Sequence, residues 1–313
     1  MRLIKEKTSI DFLSRKRRNI AIGFSIFIVV VSLVSLATRG LNLGIDFTGG
    51  ILLEVRYPQA ADTENIRERL STAGFTQYSV SRFGEDTNVL VRLPPQVGVD
   101  TGAVRESLQQ ILAADDPGVE IFRAEVVSAQ VGEELTEQGG LAMIFALLMI
   151  FAYVMFRFQW KFAAGAVAAL AHDVIVTVGF FSIVGVSFDL TVVAAVLAVI
   201  GYSLNDTVVA FDRIRENFIK LRGTSAEEAM NISINEMLAR TIITGVTTLL
   251  VLTALLILGG ELVAPFSIAL IVGIVIGTYS SIYTAGATAL VLDVSAQDLM
   301  PPEVDQELLD DLP

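Results

Sequence analysis

Six apolar blocks, each close to the length of a membrane-spanning helix, constrain the fold of this sequence more than any other feature. The chain has 313 residues, 53% of them hydrophobic, and its mean hydropathy is +0.63. A helix rises about 1.5 Å per residue, so about 20 residues cross the ~30 Å hydrocarbon core of a bilayer. The sequence therefore predicts a helical membrane protein. The predicted spans are residues 20–38, 139–156, 162–184, 190–211, 241–258 and 264–292.

The distribution of Lys and Arg predicts the orientation of these spans. Basic segments lie at residues 15–18, 157–161 and 213–222, and the short turns at 185–189 and 259–263 carry no Lys or Arg. Basic loops are retained on the cytoplasmic side of a membrane. This places both termini in the cytoplasm, with the segments 1–19, 212–240 (a charged loop) and 293–313 (an acidic tail) on that side. Residues 39–138 would then form an extracytoplasmic domain.

The first span follows basic residues, as the apolar core of a signal peptide does. It is long for such a core, and no small-residue cleavage site of the usual form follows it. We therefore expect it to be a retained anchor.

The segment 39–138 shows alternating strand and helix patterns. Strands are predicted at 49–57, 78–83, 88–93 and 119–127, with helices at 63–73 and around 104–112. The order βαββαβ predicts an α+β, ferredoxin-like domain. The segment lacks the glycine-rich patterns that bind nucleotide phosphates. A protein-contact module is favoured over an enzyme, because sheet edges can take up extended peptide.

Composition excludes several kinds of chemistry. The chain has no Cys, which removes disulfides and thiol chemistry, and a single His, which disfavours a His-based metal site. The formal net charge of −12 argues against nucleic acid as a partner. We expect no cofactor.

Polar residues inside the predicted spans mark the candidate site. A charge at a helix centre costs about 2.5–3.5 kcal/mol on insertion scales, so such residues usually face the bundle interior and find partners. Asp206 and Arg240 approach the membrane from the same side, and Thr244 lies one turn beyond Arg240. Burial opposes the charge on Asp206 and a nearby guanidinium supports it. A carboxyl held between these influences suits a proton relay, although a static buried pair fits the spacing equally well.

Three further polar residues lie within the spans: His172, Asp173 and Asn205. For His172 and Asp173, the pattern favours a satisfied polar contact between helices over a functional site.

Three motifs carry a family resemblance. They are Gly44-Ile45-Asp46-Phe47-Thr48-Gly49-Gly50 after the first span, Ala171-His172-Asp173-Val174 in the third, and the block Gly201–Asn217. The sequence resembles the SecD/SecF family of bacterial protein-translocase subunits, which are related to the proton-driven RND exporters. The length and the single large loop resemble one subunit of the pair rather than a fused chain. The motif residues that we single out are Gly44, Asp46, Gly49, Gly50, Asp212, Arg213, Arg215, Glu216 and Asn217.

The resemblance implies a role without enzymatic activity. The chain would pair with SecD in the bacterial inner membrane and associate with the SecYEG channel and YajC. The pair would use the proton-motive force to draw unfolded preprotein across the membrane. By motif position, Asp206 would carry the proton, with Arg240 and Thr244 as its partners in the relay. SecD would supply a further Asp.

Three other functions remain open at this point. An RND-like exporter of a small molecule or lipid would need a substrate tunnel and a larger external portion. An intramembrane aspartyl protease would need Asp173 and Asp206 to share a proton. The residues before Asp206 lack the Gly-x-Gly pattern typical of such proteases. The third alternative is an assembly subunit without a proton role.

Overall fold

The computed structural model describes residues 9–75, 78–94, 101–114, 118–221, 223–260 and 263–295. Most of the acidic tail 293–313 and the first part of the segment 1–19 therefore lie outside the described residues. In chain order the elements are α1 Arg15–Arg39, α2 Ile45–Thr48, β1 Gly50–Arg56, α3 Thr63–Thr72, β2 Ser79–Phe83, β3 Glu85–Leu93, α4 Thr101–Ala113, β4 Glu120–Val127, α5 Ala129–Arg157, α6 Trp160–Val184, α7 Leu190–Lys220, α8 Ala226–Leu258, α9 Ala264–Ile282 and α10 Thr284–Val291.

The described residues contain six helical segments that are long and apolar enough to cross a membrane, α9 and α10 counting as one. The sequence-based prediction of a six-span helical protein with a small α+β domain is therefore confirmed. We call the end of the bundle beside that domain the domain end. The opposite end, where α1 begins and α7 finishes, is the basic end.

The helices add detail to two of the predicted segments. The charged loop 212–240 is largely helical, because α7 continues to Lys220 and α8 begins at Ala226. The last predicted span, 264–292, is interrupted at Tyr283, where one helix ends and the next begins. Charged and apolar residues alternate along 212–240. Both helices therefore continue beyond their apolar blocks, with one face packed against the bundle and the other exposed.

The centre of the bundle is formed by α6, α7 and α9. In the most apolar window of α6, 50% of the residues are buried, whereas the figure is 6% for α5 and 17% for α8. The central helices approach closely at small residues, as the spacing of Gly273 and Gly277 predicts. A Cβ added to Gly273 of α9 would lie 2.2 Å from a Val199 methyl carbon of α7. The first helix packs as closely on α6, where a Cβ added to Gly179 would lie 2.2 Å from Ser32 Cβ.

The α+β domain has a four-stranded antiparallel sheet in the order β2-β3-β1-β4. This is the strand order of a split-βαβ, ferredoxin-like fold, as the sequence predicts. One face is covered by α3 and α4, whose Leu70, Leu108 and Leu112 are fully buried against Leu53 and Val91. The edge strands are β2 and β4.

Candidate functional site

Asp206 lies in the membrane-spanning part of α7. Its distance from the first residue of α7, measured along the helix axis, is about 24 Å at a rise of about 1.5 Å per residue. Its Oδ2 atom is buried and accepts no hydrogen bond from any residue that the structure describes. A buried carboxyl oxygen without a partner is costly, and sites of proton transfer commonly contain such groups.

A small cavity adjoins this carboxyl between α7, α8 and α9. Its volume of about 20 Å³ is enough for about one water molecule. Asp206, Thr241 and Ser281 supply its polar lining, and Ile234 and Leu238 supply much of the apolar lining. The cavity lets a small polar species approach Asp206 from the α8 side.

Arg240 and Thr244, the predicted partners, do not form a bonded cluster with Asp206. Within the described part of the chain no ion pair or hydrogen bond joins Arg240 to Asp206, although the guanidinium acts on the carboxyl through space. Both Arg240 and Thr244 are exposed on the surface of this chain. Thr244 Oγ1 donates to the carbonyls of Arg240 and Thr241, at 3.0 and 3.1 Å. In this arrangement Thr241, one turn of helix before residue 244, is the threonine that faces the carboxyl.

Hydroxyl groups beside Asp206 tie α7 to α9. Thr207 Oγ1 lies 2.9 Å from Ser281 Oγ, and both residues are buried. Asn205, the other polar residue of this turn, is exposed. Asp206 and its neighbours therefore point in different directions, which the sequence did not distinguish.

Asp173 is the centre of a second polar cluster, deeper in the bundle. The residue is 0% exposed, and its Oδ2 accepts hydrogen bonds from Ser203 Oγ at 2.6 Å and Ser280 Oγ at 2.7 Å. Its Oδ1 lies 3.0 Å from His172 Nδ1. One carboxyl thus joins α6, α7 and α9, which agrees with a satisfied polar contact between helices.

The Asp173 cluster extends to α1 through aromatic side chains. The His172 ring lies 6.1 Å from the Tyr279 ring, and its Nε2 is buried without a partner in the described residues. Tyr279 Oη donates to the Ala21 carbonyl at 2.8 Å and lies 3.1 Å from Ser25 Oγ. A polar layer therefore crosses four helices. The sequence signal for it was the presence of Ser203 in α7 and of the Ser280-Ser281 pair in α9, within otherwise apolar stretches.

The two carboxyls do not share a proton in this structure, as a protease would require. No hydrogen bond joins Asp173 to Asp206 in the described chain, and their partners come from separate clusters. The described residues also contain no group of three His, Asp or Glu side chains able to hold a metal ion.

The glycine motif after the first span lies at the domain end. Asp46 Oδ2 accepts a hydrogen bond from the Leu190 N–H at 3.0 Å, at the start of α7. Gly44 packs so closely that an added Cβ would lie 3.0 Å from Asp189 Cβ. Gly49 and Gly50 have φ angles of 69° and 124°, which favour glycine. The motif therefore connects α1, the start of α7 and β1.

The charged motif at the other end of α7 packs that helix against its neighbours. Arg213 Nε and Asn217 Nδ2 each donate to Glu236 Oε2 on α8 at 2.7 Å. Asp212 pairs with Arg157 at the end of α5, with 2.6 Å between Nη2 and Oδ1. Glu216 pairs with Arg213 on its own helix, and Arg215 is exposed. These contacts indicate a structural role at the basic end.

Comparison with known families accounts for the motifs. The family model "Protein export membrane protein SecD/SecF, C-terminal" matches residues 107–295, more than half of the chain. The chain belongs to the SecD/SecF family. The model "SecD/SecF GG Motif" matches residues 34–61, which include the glycine motif. The SecD/SecF resemblance drawn from the sequence is therefore confirmed.

Individual relatives cover nearly the whole chain. The protein translocase subunit SecF of Vibrio alginolyticus is 46% identical over 309 residues, which are 97% of this chain and 96% of that protein. The crystal structure of SecDF, a translocon-associated membrane protein from Thermus thermophilus, matches with a TM-score of 0.82 at 34% identity. The match covers 94% of this chain, which spans 40% of the SecDF chain.

A second SecDF structure, in a super-membrane-facing form, matches less closely. Its TM-score is 0.67, at the same 34% identity and over the same 94% and 40% of the two chains. The part of SecDF that matches this chain therefore differs in conformation between the two SecDF structures.

Proposed function

We propose that this chain is a SecF-like subunit of the Sec preprotein translocase. Together with SecD, it uses the proton-motive force to promote protein export across the cytoplasmic membrane. The family membership and the near-complete match to a SecF subunit support the translocase role. The chain acts as an accessory transport subunit rather than as an enzyme.

One observation carries the proton-driven part of the proposal. Asp206 holds a buried carboxyl oxygen without a partner among the described residues, beside a cavity of about 20 Å³ and within the electrostatic range of Arg240. A carboxylate in this position can take up one proton and become neutral. Release of that proton restores the charge and its attraction to the guanidinium.

The protonation step changes the forces between α7 and α8. While Asp206 is charged, Arg240 attracts it, and protonation removes that attraction. Arg240 and Thr244 are proposed as the relay partners, which meet the carboxyl when α8 shifts toward it. A proton that crosses 100 mV releases about 2.3 kcal/mol, and about 1.4 kcal/mol already changes an equilibrium tenfold.

SecD is the proposed membrane partner. The helices α5 and α8 bury only 6% and 17% of their most apolar windows within this chain, so they retain large surfaces for another subunit. The exposed Asn205, Arg240 and Thr244 lie on such a surface. In SecDF, the segment equivalent to this chain is 40% of a longer chain, which is consistent with a partner half. The SecYEG channel, YajC and the unfolded preprotein are proposed further partners.

The orientation follows from charge. Basic residues precede α1 and lie at the α5–α6 and α7–α8 connections, so the basic end is proposed to face the cytoplasm. Both termini would then be cytoplasmic, and the α+β domain would lie outside the bacterial inner membrane.

Export by the Asp206→Asn variant tests the proposal. The full chain, in complex with SecD and the translocase, is assayed in membrane vesicles with the proton gradient present and then collapsed by an uncoupler. Asparagine keeps the shape of the side chain but cannot take up a proton. We expect the variant to assemble and to lose the gradient-driven part of export, with gradient-independent export unchanged.

Asp212→Asn is the matched control for this experiment. Asp212 lies on the same helix but in a half-exposed ion pair with Arg157, and such pairs contribute about 0–1 kcal/mol. Its gradient-driven export should match the unmodified chain. Normal gradient-driven export by Asp206→Asn would exclude Asp206 as the proton carrier in protein export.

The exporter alternative is less well supported. A relative matching 97% of the chain is named as a protein translocase subunit, not as a small-molecule exporter. An Asp206→Asn complex that exported protein normally but failed to move a small solute would favour it.

A further inference from the structure

Arg92 connects the α+β domain to the bundle at a point remote from Asp206. It lies on the central strand β3, where Val89, Val91 and Leu93 face the domain core and Arg92 therefore faces the opposite side of the sheet. Its Nη2 atom donates to Ser187 Oγ at 3.1 Å, in the turn between α6 and α7. The open face of the sheet thus contacts the turn that leads into the helix carrying the proposed proton site.

Two carboxylates act on the Arg92 guanidinium through space, and no ion pair joins them to it among the described residues. Burial lowers the pKa of Arg92, and the nearby carboxylates of Asp189 and Asp46 oppose that shift by stabilising the charged form. The ordinary pKa of arginine lies far above neutral pH, so this guanidinium remains charged there. A half-buried guanidinium is retained only where partners offset its desolvation. Asp189 and Asp46 supply that compensation.

The same two carboxylates hold the first turn of α7. Asp189 Oδ1 accepts the Val192 N–H at 3.0 Å, and Asp46 Oδ2 accepts the Leu190 N–H at 3.0 Å. These N–H groups have no partner within a helix, so side-chain acceptors fix the direction in which the helix starts. Arg92 therefore interacts with the groups that fix the start of the Asp206 helix.

Asp46 belongs to the short helix α2, which is itself held from two sides. Gly44 N–H donates to the Phe188 carbonyl at 2.7 Å, and a Cβ added to Gly132 of α5 would lie 2.7 Å from the Phe47 carbonyl oxygen. The next residues, Gly49 and Gly50, lead directly into β1. A movement of the α6–α7 turn thus reaches β1 through α2 and reaches β3 through Arg92.

We propose that Arg92 is a positioning residue of the translocase. Together with Asp46 it forms a clasp on the α6–α7 turn, through which movement of α7 is transmitted to the external sheet. The clasp consists of Arg92, Asp46, Ser187 and Asp189. This inference rests on the proposed function, because it takes protonation of Asp206 as the event that moves α7.

Substitution of Arg92 tests the clasp in the full chain, in complex with SecD and the translocase. Export is measured with the proton gradient present and collapsed, for Arg92→Ala, Arg92→Lys and Asp206→Asn. The control is Arg105→Ala, which removes an exposed arginine from α4, a helix on the other face of the same domain.

The clasp predicts a specific pattern. Arg92→Ala should lose about tenfold of gradient-driven export, in line with the loss of a hydrogen bond from a charged group, and should keep gradient-independent export. Arg92→Lys keeps a charge and a donor, so it should recover a large part of the loss. Arg105→Ala should match the unmodified chain. Ser187→Ala, which removes only the acceptor, should fall between Arg92→Ala and the unmodified chain.

The outcomes separate the clasp from the proposed function. If Asp206→Asn is defective and Arg92→Ala is as active as Arg105→Ala, the clasp is wrong and the proton site stands. If Asp206→Asn is normal, the proposed function fails. If Arg92→Ala lowers export equally with and without the gradient and Arg92→Lys restores nothing, Arg92 only maintains the fold, which also overturns the clasp.

Cross-linking tests whether the contact between Arg92 and Ser187 stays closed while movement passes through it. The chain has no Cys, so an Arg92→Cys, Ser187→Cys double variant offers one pair of thiols. A bifunctional methanethiosulfonate reagent about as long as an arginine side chain should restore gradient-driven export to this variant. Complete loss of export on cross-linking, with the uncross-linked variant still active, would overturn a fixed link.

Discussion

Ser203 Oγ donates to Asp173 Oδ2 at 2.6 Å, which joins α7 to α6 one helical turn before Asp206. The same oxygen accepts from Ser280 on α9 at 2.7 Å, so one carboxyl fixes the three central helices. The proposed proton site is therefore built beside a rigid point in the bundle. This arrangement predicts different roles for the two membrane aspartates, structural for Asp173 and titrating for Asp206.

The Asp173 cluster predicts a loss of stability on substitution. Asp173→Leu leaves the hydroxyl of Ser203 buried without its acceptor, at a cost of about 1–3 kcal/mol, and leaves Ser280 only the Gly277 carbonyl at 3.1 Å. Asp173→Asn keeps one acceptor oxygen and should cost less. Thermal unfolding of the purified complex with SecD in detergent should show the lowest midpoint for leucine, with asparagine between it and the unmodified chain. Equal midpoints for all three proteins would contradict a structural role.

The close contact between α9 and α7 predicts a second effect on stability. A Cβ added at Gly273 would lie 2.2 Å from a Val199 methyl carbon, so Gly273→Ala forces the two helices apart and should cost about 1–3 kcal/mol. Gly201→Ala is the matched control, because an added Cβ there meets no atom within 4 Å. Thermal unfolding should show a lower midpoint for the first variant only. A lower midpoint for Gly201→Ala alone would show that the packing is misassigned.

The position of Thr241 beside the cavity predicts that its substitution weakens proton-driven export. Thr241 is 8% exposed and lines the cavity beside Asp206. Thr241→Val keeps the shape and removes the hydroxyl, so gradient-driven export should fall by about two- to tenfold, equivalent to the loss of one hydrogen bond. Thr253→Val is the control, because the hydroxyl of this exposed residue donates to the Leu249 carbonyl on its own helix. A normal Thr241→Val variant would exclude its hydroxyl from the relay.

The proposed relay predicts that gradient-driven export requires the planar guanidinium of Arg240. Arg240→Lys keeps the charge but loses the planar, two-donor fork. We expect impaired gradient-driven export, and a greater loss for Arg240→Ala. Since this structure shows no bonded Asp206–Arg240 pair among its described residues, impairment by lysine would mean that the pair forms at another step of the cycle. Full activity of Arg240→Lys, measured in the same vesicles, would indicate that Arg240 acts as a point charge only.

Much of the fold could be predicted from the sequence alone. The apolar blocks determine the six spans because backbone N–H and C=O groups in lipid must be satisfied within each helix. Alternation and turn residues determine the βαββαβ order because side chains alternate across a strand with a period of two. Helices α7 and α8 extend through most of 212–240 because hydropathy marks where a helix leaves the membrane, not where it ends.

The site was only partly predictable. Asp206 could be singled out because a charge inside an apolar block is costly wherever the chain folds. The sequence could not show that Thr241 rather than Thr244 faces it here, because side-chain direction depends on the rotation of α8 against α7. For the same reason it could not show that Asp173 binds two serines that lie 30 and 107 residues away.

The sequence by itself thus determined the membrane class, the family and the residues that are costly to bury, since these follow from composition and local spacing. Only the tertiary structure decided which of those residues meet. Arg92 illustrates the difference: in sequence it is one more arginine in a strand, and in the fold it reaches Ser187, which is 95 positions away. Contacts of this kind depend on the position and orientation of the sheet relative to the helical bundle, which the local pattern of residues does not specify.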